Sequence, residues 1–252
     1  MKAIWDYTSV AKYYSKRPSY SKKGIEWMFN IAGIHNNSTI CDIGAGTGTL
    51  TSMLAANECR VIAVEPNDAM RAIGEVNTNN YTNIEWVNGV GEATTLPSNM
   101  FDLVTYGSSF NATNRSASLK EAYRILKEDS WIACMWNHRD TDNEMQYKID
   151  TIIKHYLPDY DNDKNGKRHE EQDSVILSSG LFHDIRKCSY KFEYRFSCTD
   201  YIESWKSHGT MHSEWKRYSE QIINDIAELL NKETTGSIIV PYITKIWMGK
   251  TI

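Results

Sequence analysis

No run in this chain of 252 residues approaches the roughly 18 consecutive apolar residues of a membrane span, and the opening "MKAIWDYTSV" has no apolar core of a secretion signal. A soluble, unprocessed protein is the expectation. No CxxC pair occurs; Cys41, Cys59, Cys134, Cys188 and Cys198 are an odd set without framework spacing, which predicts free thiols in a reducing compartment, the cytoplasm. No basic tract is present: 28 Lys and Arg stand against 32 Asp and Glu, a formal net charge of -4. A nucleic-acid partner is therefore not expected, nor is a membrane. No internal repeat is found, and the one biased stretch, "PDYDNDKNGKRHEEQD" at 158–173, is polar and charged in both signs, as in a solvated loop. The length suits a single domain, 1–252, with insertions. The oligomeric state is left open.

What is present begins with an alternation. Short apolar runs ("TICDI", "RVIAVE", "NIEWVN", "FDLVTY", "SWIACMW") are interleaved with helix-like segments ("TLTSMLAANE", "NDAMRAIGEV", "ASLKEAYRILKE"). That order predicts a doubly wound α/β sheet of mostly parallel strands. In the third helix, Leu119, Ala122, Tyr123 and Leu126 form a packing face, while Lys120, Glu121 and Lys127 are expected in water. The later half predicts helices in "NEMQYKIDTIIKHYL", "TDYIESWKSH" (N-cap Thr199 or Asp200) and "SEWKRYSEQIINDIAELLNK", with an alternating strand in "HDIRKCSYKFEYRF". In "GSIIVPYITKIWMGK", Pro241 argues for an edge position or a strand that starts after it. The segments 140–182 and 198–233, with the N-terminal helix, are expected to form a helical lid over a core at 30–137.

The stretch "STICDIGAGTGTL", residues 38–50, carries glycines at every second position after a strand and before a helix. The first guess is a nucleotide against Gly44, Gly46 and Gly48, since a helix N-terminus favours electron-rich groups. The spacing departs from G-x-G-x-x-G because Thr49 holds the sixth place. Glu65 closes the next strand about 20 residues on, the position of an acid that accepts both ribose hydroxyls of an adenosine. The plainer alternative is a tight turn and a solvated acid.

The ordered series "CDIGAGTGTL", "VIAVEPNDAM", "VNGVGEATTLPSNMFDLVTYGSSF" and "EAYRILKEDSWIACMWNHRD" resembles the class I S-adenosylmethionine-dependent methyltransferases, particularly the small-molecule, trans-aconitate methyltransferase-like type. The likeness is good over residues 10–140 and holds only in outline beyond. It implies a seven-stranded Rossmann-like sheet, S-adenosyl-L-methionine as cofactor, and methyl transfer to an O or N atom of a small molecule, with a carbon acceptor also open. It implies that Asp42, Gly44, Ala45 and Gly46 run under the amino-acid part of the cofactor, and that Glu65 holds the ribose. Pro66 and Asn67 would lie beside the adenine, which Val90, Gly91 and Glu92 would edge. Tyr106, Gly107 and Ser108 would face the sulfonium. In "YYSKRPSY", Tyr14 and Arg17 would close over the cofactor, Arg17 pairing with its carboxylate, and Tyr14 would also meet the substrate. Where relatives carry an aromatic-His-Trp segment, this chain has "SSFNATNR", so a role for that His is not transferable; Phe110 and Asn111 are candidate pocket residues.

His208 and His212 are four apart, but Gly209 interrupts the helix and no third ligand is spaced for a metal, so none is expected. His208, His212 and His138 are candidate proton acceptors or orienting groups, with Trp136, Trp205 and Met211 as candidate substrate contacts. The late aromatic excess, which also includes Trp131, Phe182, Tyr190, Phe192, Tyr194 and Trp215, suits an aromatic or heterocyclic acceptor but equally a core. Two rival functions stand beside methyl transfer: a non-catalytic module that binds the cofactor or S-adenosylhomocysteine, and an NAD(P)-dependent oxidoreductase. Protein or RNA methylation is a further option, which the acidic balance disfavours for RNA.

Overall fold

The computed structural model describes residues 6–160, 171–208 and 216–252. Seven strands form one sheet in the order β3-β2-β1-β4-β5-β7-β6. They are β1 (Thr39–Ile43), β2 (Arg60–Val64), β3 (Ile84–Val87), β4 (Phe101–Gly107), β5 (Leu126–Arg139), β6 (Phe182–Ser197) and β7 (Ser237–Thr251). The first five run parallel, and β7 lies antiparallel between β5 and β6. This is the doubly wound, mostly parallel sheet that the alternation of runs predicts, with the seven strands and Rossmann-like order that the resemblance implies.

Period-two alternation divides each strand between two cores. On one face Ile40, Val61, Leu103, Ala133 and Met135 pack under Met28 and Phe29 of α2 (Lys22–Ala32) and under Leu50 and Leu54 of α3 (Thr49–Ala55). On the other, Cys41, Ile43, Val64, Val104 and Cys134 pack under Leu119, Ala122 and Ile125 of α5 (Arg115–Ile125). Each fully buried aliphatic side chain contributes about 1.5–3 kcal/mol. The helix α2 is bounded by its N-cap Ser21 and by Gly33, which ends it in the left-handed region at φ 65°. A short helix α1 (Ala11–Tyr14) precedes α2, and a fourth, α4 (Asp68–Asn77), links β2 and β3, where Asn67 caps it by accepting from Met70 N.

Beyond Arg139 the long strands β6 and β7 continue alone, and a separate helical layer rests on that extension. Ile149 and Ile153 of α6 (Glu144–Tyr156), Tyr201 and Trp205 of α8 (Cys198–Lys206), and Ile222, Ile226 and Leu230 of α9 (Ser219–Glu233) enclose Phe196, Ile238, Val240 and Tyr242. Four sequence expectations need correction. The short helix α7 (Gln172–Ser178), inside the expected 140–182 lid, packs through Ile176 beside Phe182 and Trp247 in the main core. The N-cap of α8 is Ser197, whose Oγ accepts from Asp200 N at 3.0 Å. Glu121 is buried, accepting from Thr94 N and Thr94 Oγ1 and pairing with Arg124, and Leu126 opens β5.

Pro241 does not precede the strand but lies inside β7, opposite Glu193 of β6, and the expected edge position holds locally, because β5 ends at Arg139, opposite Tyr242. Its carbonyl accepts from Asp140 N at 2.9 Å, on the side where β5 has just ended. A residue's N and C=O point the same way in a strand, so the missing N–H faces the end of β5 and costs no bond to β6.

Candidate functional site

The strand order reverses between β1 and β4, and in such sheets ligands gather outside the carboxyl ends at that point. The glycine loop lies there. Gly44 N and Ala45 N both donate to Val64 O, at 2.8 and 3.1 Å, which folds the loop over the end of β2. Gly44, Gly46 and Gly48 all hold positive φ. What lies against two of them is protein: a Cβ on Gly44 would sit 2.4 Å from Ser109 Cβ, and one on Gly48 would sit 2.9 Å from Thr78 Cγ2 and 3.3 Å from Trp86 Cζ2. The nucleotide expected against all three is thus replaced by side chains at Gly44 and Gly48. Gly46 is closed only by the mobile end of Met70, 3.3 Å away.

Two acids hold this turn. Asp42 is fully buried and accepts from Thr51 Oγ1 at 2.7 Å and from its cross-strand neighbour Thr105 Oγ1 at 3.0 Å. Burial raises its carboxyl from 3.8 to about 6, so the native state keeps a proton that the unfolded chain releases near 3.8. The folded pKa being the higher one, stability is gained as pH falls through 6 and is absent well above it. Between about pH 8 and about pH 5.5 the unfolding free energy of the wild type, relative to Asp42→Asn, is expected to rise by about 1 kcal/mol. Urea melts of both proteins at both pH values check this, and a pH-independent difference would refute it.

Glu65 is also buried, and burial raises its pKa while backbone amides oppose the rise. Its Oε2 accepts from Gly46 N at 2.8 Å and its Oε1 from Asn67 N at 2.9 Å. Each carboxylate oxygen has two acceptor positions, so each keeps one for a further donor. Other expected cofactor contacts are engaged otherwise. Asn67 spends its side chain capping α4 and donating to Thr8 Oγ1, and Glu92 accepts from Asn114 N at 2.6 Å, steadying the start of α5. Val90 bridges back to Ala93 in a tight turn, a Cβ on Gly91 would meet Ser118 Oγ at 3.1 Å and Ile43 Cγ2 at 3.3 Å, and Pro66 is half-buried beside Glu65.

At the end of β4, Tyr106 turns its ring away into the core, where it meets Phe110 edge-on and donates to Ser118 O. Only its backbone is left to face the crevice. Gly107 admits Tyr20, whose hydroxyl oxygen is 3.0 Å from Ser108 Oγ, and Ser108 is held at φ 61°. Ser109 Oγ donates to Ile43 O, closing the crevice floor.

A strap of residues 14–21 crosses these strand ends. Asn137 Nδ2 donates to Ser19 O, and Ser21 N donates to Thr244 Oγ1. Arg17 lies 4.0 Å over the Tyr14 ring, donates to Tyr14 Oη, and reaches the helical layer through Ser207 Oγ and Ser207 O, both at 2.9 Å. Tyr7 stacks edge-on against Tyr14, and burial pushes its hydroxyl up to about 12. Between strap and loop is a cavity of about 200 Å³, lined by Arg17, Thr47, Gly48, Thr49 and Tyr194 among others. Thr47 Oγ1 is buried there without a hydrogen-bond partner.

The expected substrate residues divide. Phe110 and Trp136 fill the core, Trp136 edge-on against Trp247. Asn111 is half-buried, with Oδ1 buried and unpartnered. Strand alternation puts His138 on the Trp136 side, away from His208. Trp205 is buried but shares a stack with His208, ring centroids 5.2 Å apart, and with the Arg139 guanidinium 3.9 Å over it. His208 Nε2 is 3.1 Å from Arg139 Nη2. Burial first, then the charges of Arg139 and Arg17, push the His208 pKa well below its usual value, which makes it a hydrogen-bond acceptor and a poor proton acceptor. Met211, His212 and Trp215 lie outside the described residues, and among the described residues no His, Cys, Asp or Glu cluster suits a metal. The reading from sequence missed Tyr20, Ser109 and Ser207, which are unremarkable residues until the strap meets the strand ends and the helical layer. Arg139 was visible in "WNHRD" but without a partner to mark it.

A methyltransferase-domain family matches residues 41–134. Over 233 residues the chain is 31% identical to a Hydrogenovibrio crunogenus protein named ubiquinone/menaquinone biosynthesis C-methyltransferase, covering 86% of this chain and 89% of that one. The chain belongs to the class I S-adenosylmethionine-dependent methyltransferases. A Schizosaccharomyces pombe protein named an uncharacterized methyltransferase is 33% identical over 134 residues, and this methyltransferase chain spans about half of it, 52%. Among solved structures, a provisionally named type II methyltransferase from Anaeromyxobacter dehalogenans has a TM-score of 0.66 at 15% identity, covering 93% of this chain and 97% of that one. An N-methyltransferase from Haemonchus contortus, solved with phosphomonomethylethanolamine and S-adenosylhomocysteine, has a TM-score of 0.57 at 10% identity, covering 100% of this chain and 60% of that one. At those identities the likeness is one of fold. S-adenosylmethionine is the cofactor of this family. No helix among the described residues is long and apolar enough to cross a membrane.

Proposed function

We propose that this chain transfers the methyl group of S-adenosylmethionine to an O or N atom of a small molecule, an aromatic or heterocyclic metabolite. The observation that carries the cofactor reading is Glu65, whose two oxygens each hold one backbone amide and keep one acceptor position. Two vicinal hydroxyls match that pair. Gly46, the most open of the three glycines, adjoins it. Arg17 and the unpartnered Thr47 Oγ1 border a cavity suited to the carboxylate end of an amino acid. The sulfonium, when bound, supplies an activated methyl group with its own leaving group. The chain's task is then to position and to exclude water: the strap covers the loop, Tyr20 and Ser108 shape the strand end, and the lid closes from Ser207.

The same geometry supports a carbon acceptor, which is what the name of the Hydrogenovibrio relative specifies for that protein. Neither reading uses His208 as a base. Titration calorimetry with S-adenosylhomocysteine, S-adenosylmethionine and NADH tests the cofactor. Micromolar binding of both adenosyl ligands and none of NADH is expected; binding of NADH alone, or of nothing, would overturn the proposal.

A further inference from the structure

The strap brings one phenol to the carboxyl end of β4, and its place there is fixed from both sides. Asn137 Nδ2 donates to Ser19 O and Ser21 N donates to Thr244 Oγ1, both at 2.9 Å, so the residue between them has little freedom. That residue, Tyr20, is 7% exposed, and its ring belongs to the core that holds Met28, Leu50 and Met135. Its hydroxyl lies against Gly107, where a Cβ would meet Tyr20 Oη at 3.0 Å, and is 3.0 Å from Ser108 Oγ. Ser108 is itself held at φ 61°, a conformation that side chains seldom adopt and that recurs at functional sites. Burial above all raises the Tyr20 pKa beyond its usual value, and Tyr14, Asp42 and Arg17 also act on it. The hydroxyl is therefore neutral, and it sits between the strap and the end of β1.

Among the described residues neither hydroxyl has a second hydrogen-bond partner. Two hydroxyl oxygens offer four acceptor positions, of which their mutual bond takes one. The pair thus presents lone pairs at the strand end, without an ionised group of its own. Its position follows from the strand order β2-β1-β4: Glu65 closes β2 on one side of the glycine loop, and Ser108 closes β4 on the other. In a cofactor held by its ribose at Glu65 and by its carboxylate near Arg17, the sulfonium is the joint between the two, and the neighbour left to it is the end of β4. A methyl group on a positively charged sulfur has electron-poor hydrogens, which hydroxyl oxygens attract, the more so where water is excluded. Once the methyl has left, a neutral sulfur with a lone pair of its own faces the same oxygens. Resting on the cofactor reading above, we propose that Tyr20 is a positioning residue for methyl transfer: its hydroxyl, oriented by Ser108, holds the sulfonium methyl and by the same contact tilts the site from S-adenosylhomocysteine toward S-adenosylmethionine.

The test is titration calorimetry on the full chain with three ligands: S-adenosylmethionine, S-adenosylhomocysteine, and sinefungin, in which a carbon bearing an ammonium replaces the sulfur and its methyl. Tyr20→Phe, which keeps the ring in the core, is expected to lose about fivefold or more in affinity for the two cationic ligands and less than about twofold for S-adenosylhomocysteine. Ser108→Ala leaves the phenol without its partner and is expected to move the ratio in the same direction by a smaller factor. A purely structural role would weaken all three ligands alike, so equal losses, or an unchanged ratio in Tyr20→Phe, would overturn the assignment while the cofactor reading stands. Should Tyr20→Phe not match the wild type in circular dichroism, the ratio in Ser108→Ala decides by the same criterion. A wild-type protein that binds none of the three would overturn the cofactor reading and this assignment with it.

Discussion

Glu65→Ala is expected to weaken binding of S-adenosylmethionine and S-adenosylhomocysteine by about 1.5–3 kcal/mol, roughly ten- to a hundredfold, the range for hydrogen bonds to a charged acceptor. The loss has two parts. The substitution removes the two open acceptor positions, and it strips Gly46 N and Asn67 N of the partners that fix the loop. Glu65→Gln separates them: it keeps one acceptor oxygen and so retains one loop bond, with an intermediate affinity. Calorimetry on variants whose circular dichroism matches the wild type reads both effects. An unchanged affinity in folded Glu65→Ala would remove Glu65 from the site.

Gly44→Ala should cost about 3 kcal/mol or more of folding stability, from two independent causes. At φ 69° a side chain is strained by about 1–2 kcal/mol, and the new methyl would meet Ser109 Cβ at 2.4 Å. Ser109 cannot easily retreat, since its Oγ donates to Ile43 O on the strand that leads into the loop. Gly33→Ala provides the comparison: φ there is 65°, but a Cβ would meet nothing within 4 Å, so only the conformational part, about 1 kcal/mol, is expected. Chemical unfolding of both variants measures the difference. Equal losses would mean that Ser109 yields and that the close approach is not a constraint.

The sheet was legible because parallel strands buried on both faces are short apolar runs with helices between them. Thus β1 is "TICDI" residue for residue, and the turn after it is marked by glycines that no other residue replaces cheaply. The later half was readable as elements, α7 excepted, but not as packing. Nothing local in "DSVILSS" distinguishes α7, which joins the main core through Ile176, from helices of the layer over β6 and β7. Pro241 marked an edge, but which edge depends on where a different strand stops, at Arg139. For the site, Asp42 and Glu65 could be found by their offsets from the glycines. Ser109, Tyr20 and Ser207 could not, because each acts through a neighbour from a remote part of the sequence, and Trp136 and Phe110 looked available only until burial was known.

The place of β7 has a consequence for how the chain is made. Among the described residues the only strand that β6 pairs with is β7, which is synthesised after it, with α8 and α9 between them. During that interval β6 is a long strand with both edges open, the kind of segment that recruits other chains. Its sequence answers this with His183, Arg186, Lys187, Lys191, Glu193 and Arg195, charged or polar residues distributed along its length. In the finished sheet the same residues guard the outer edge of β6, so one set of side chains serves both the nascent strand and the folded protein.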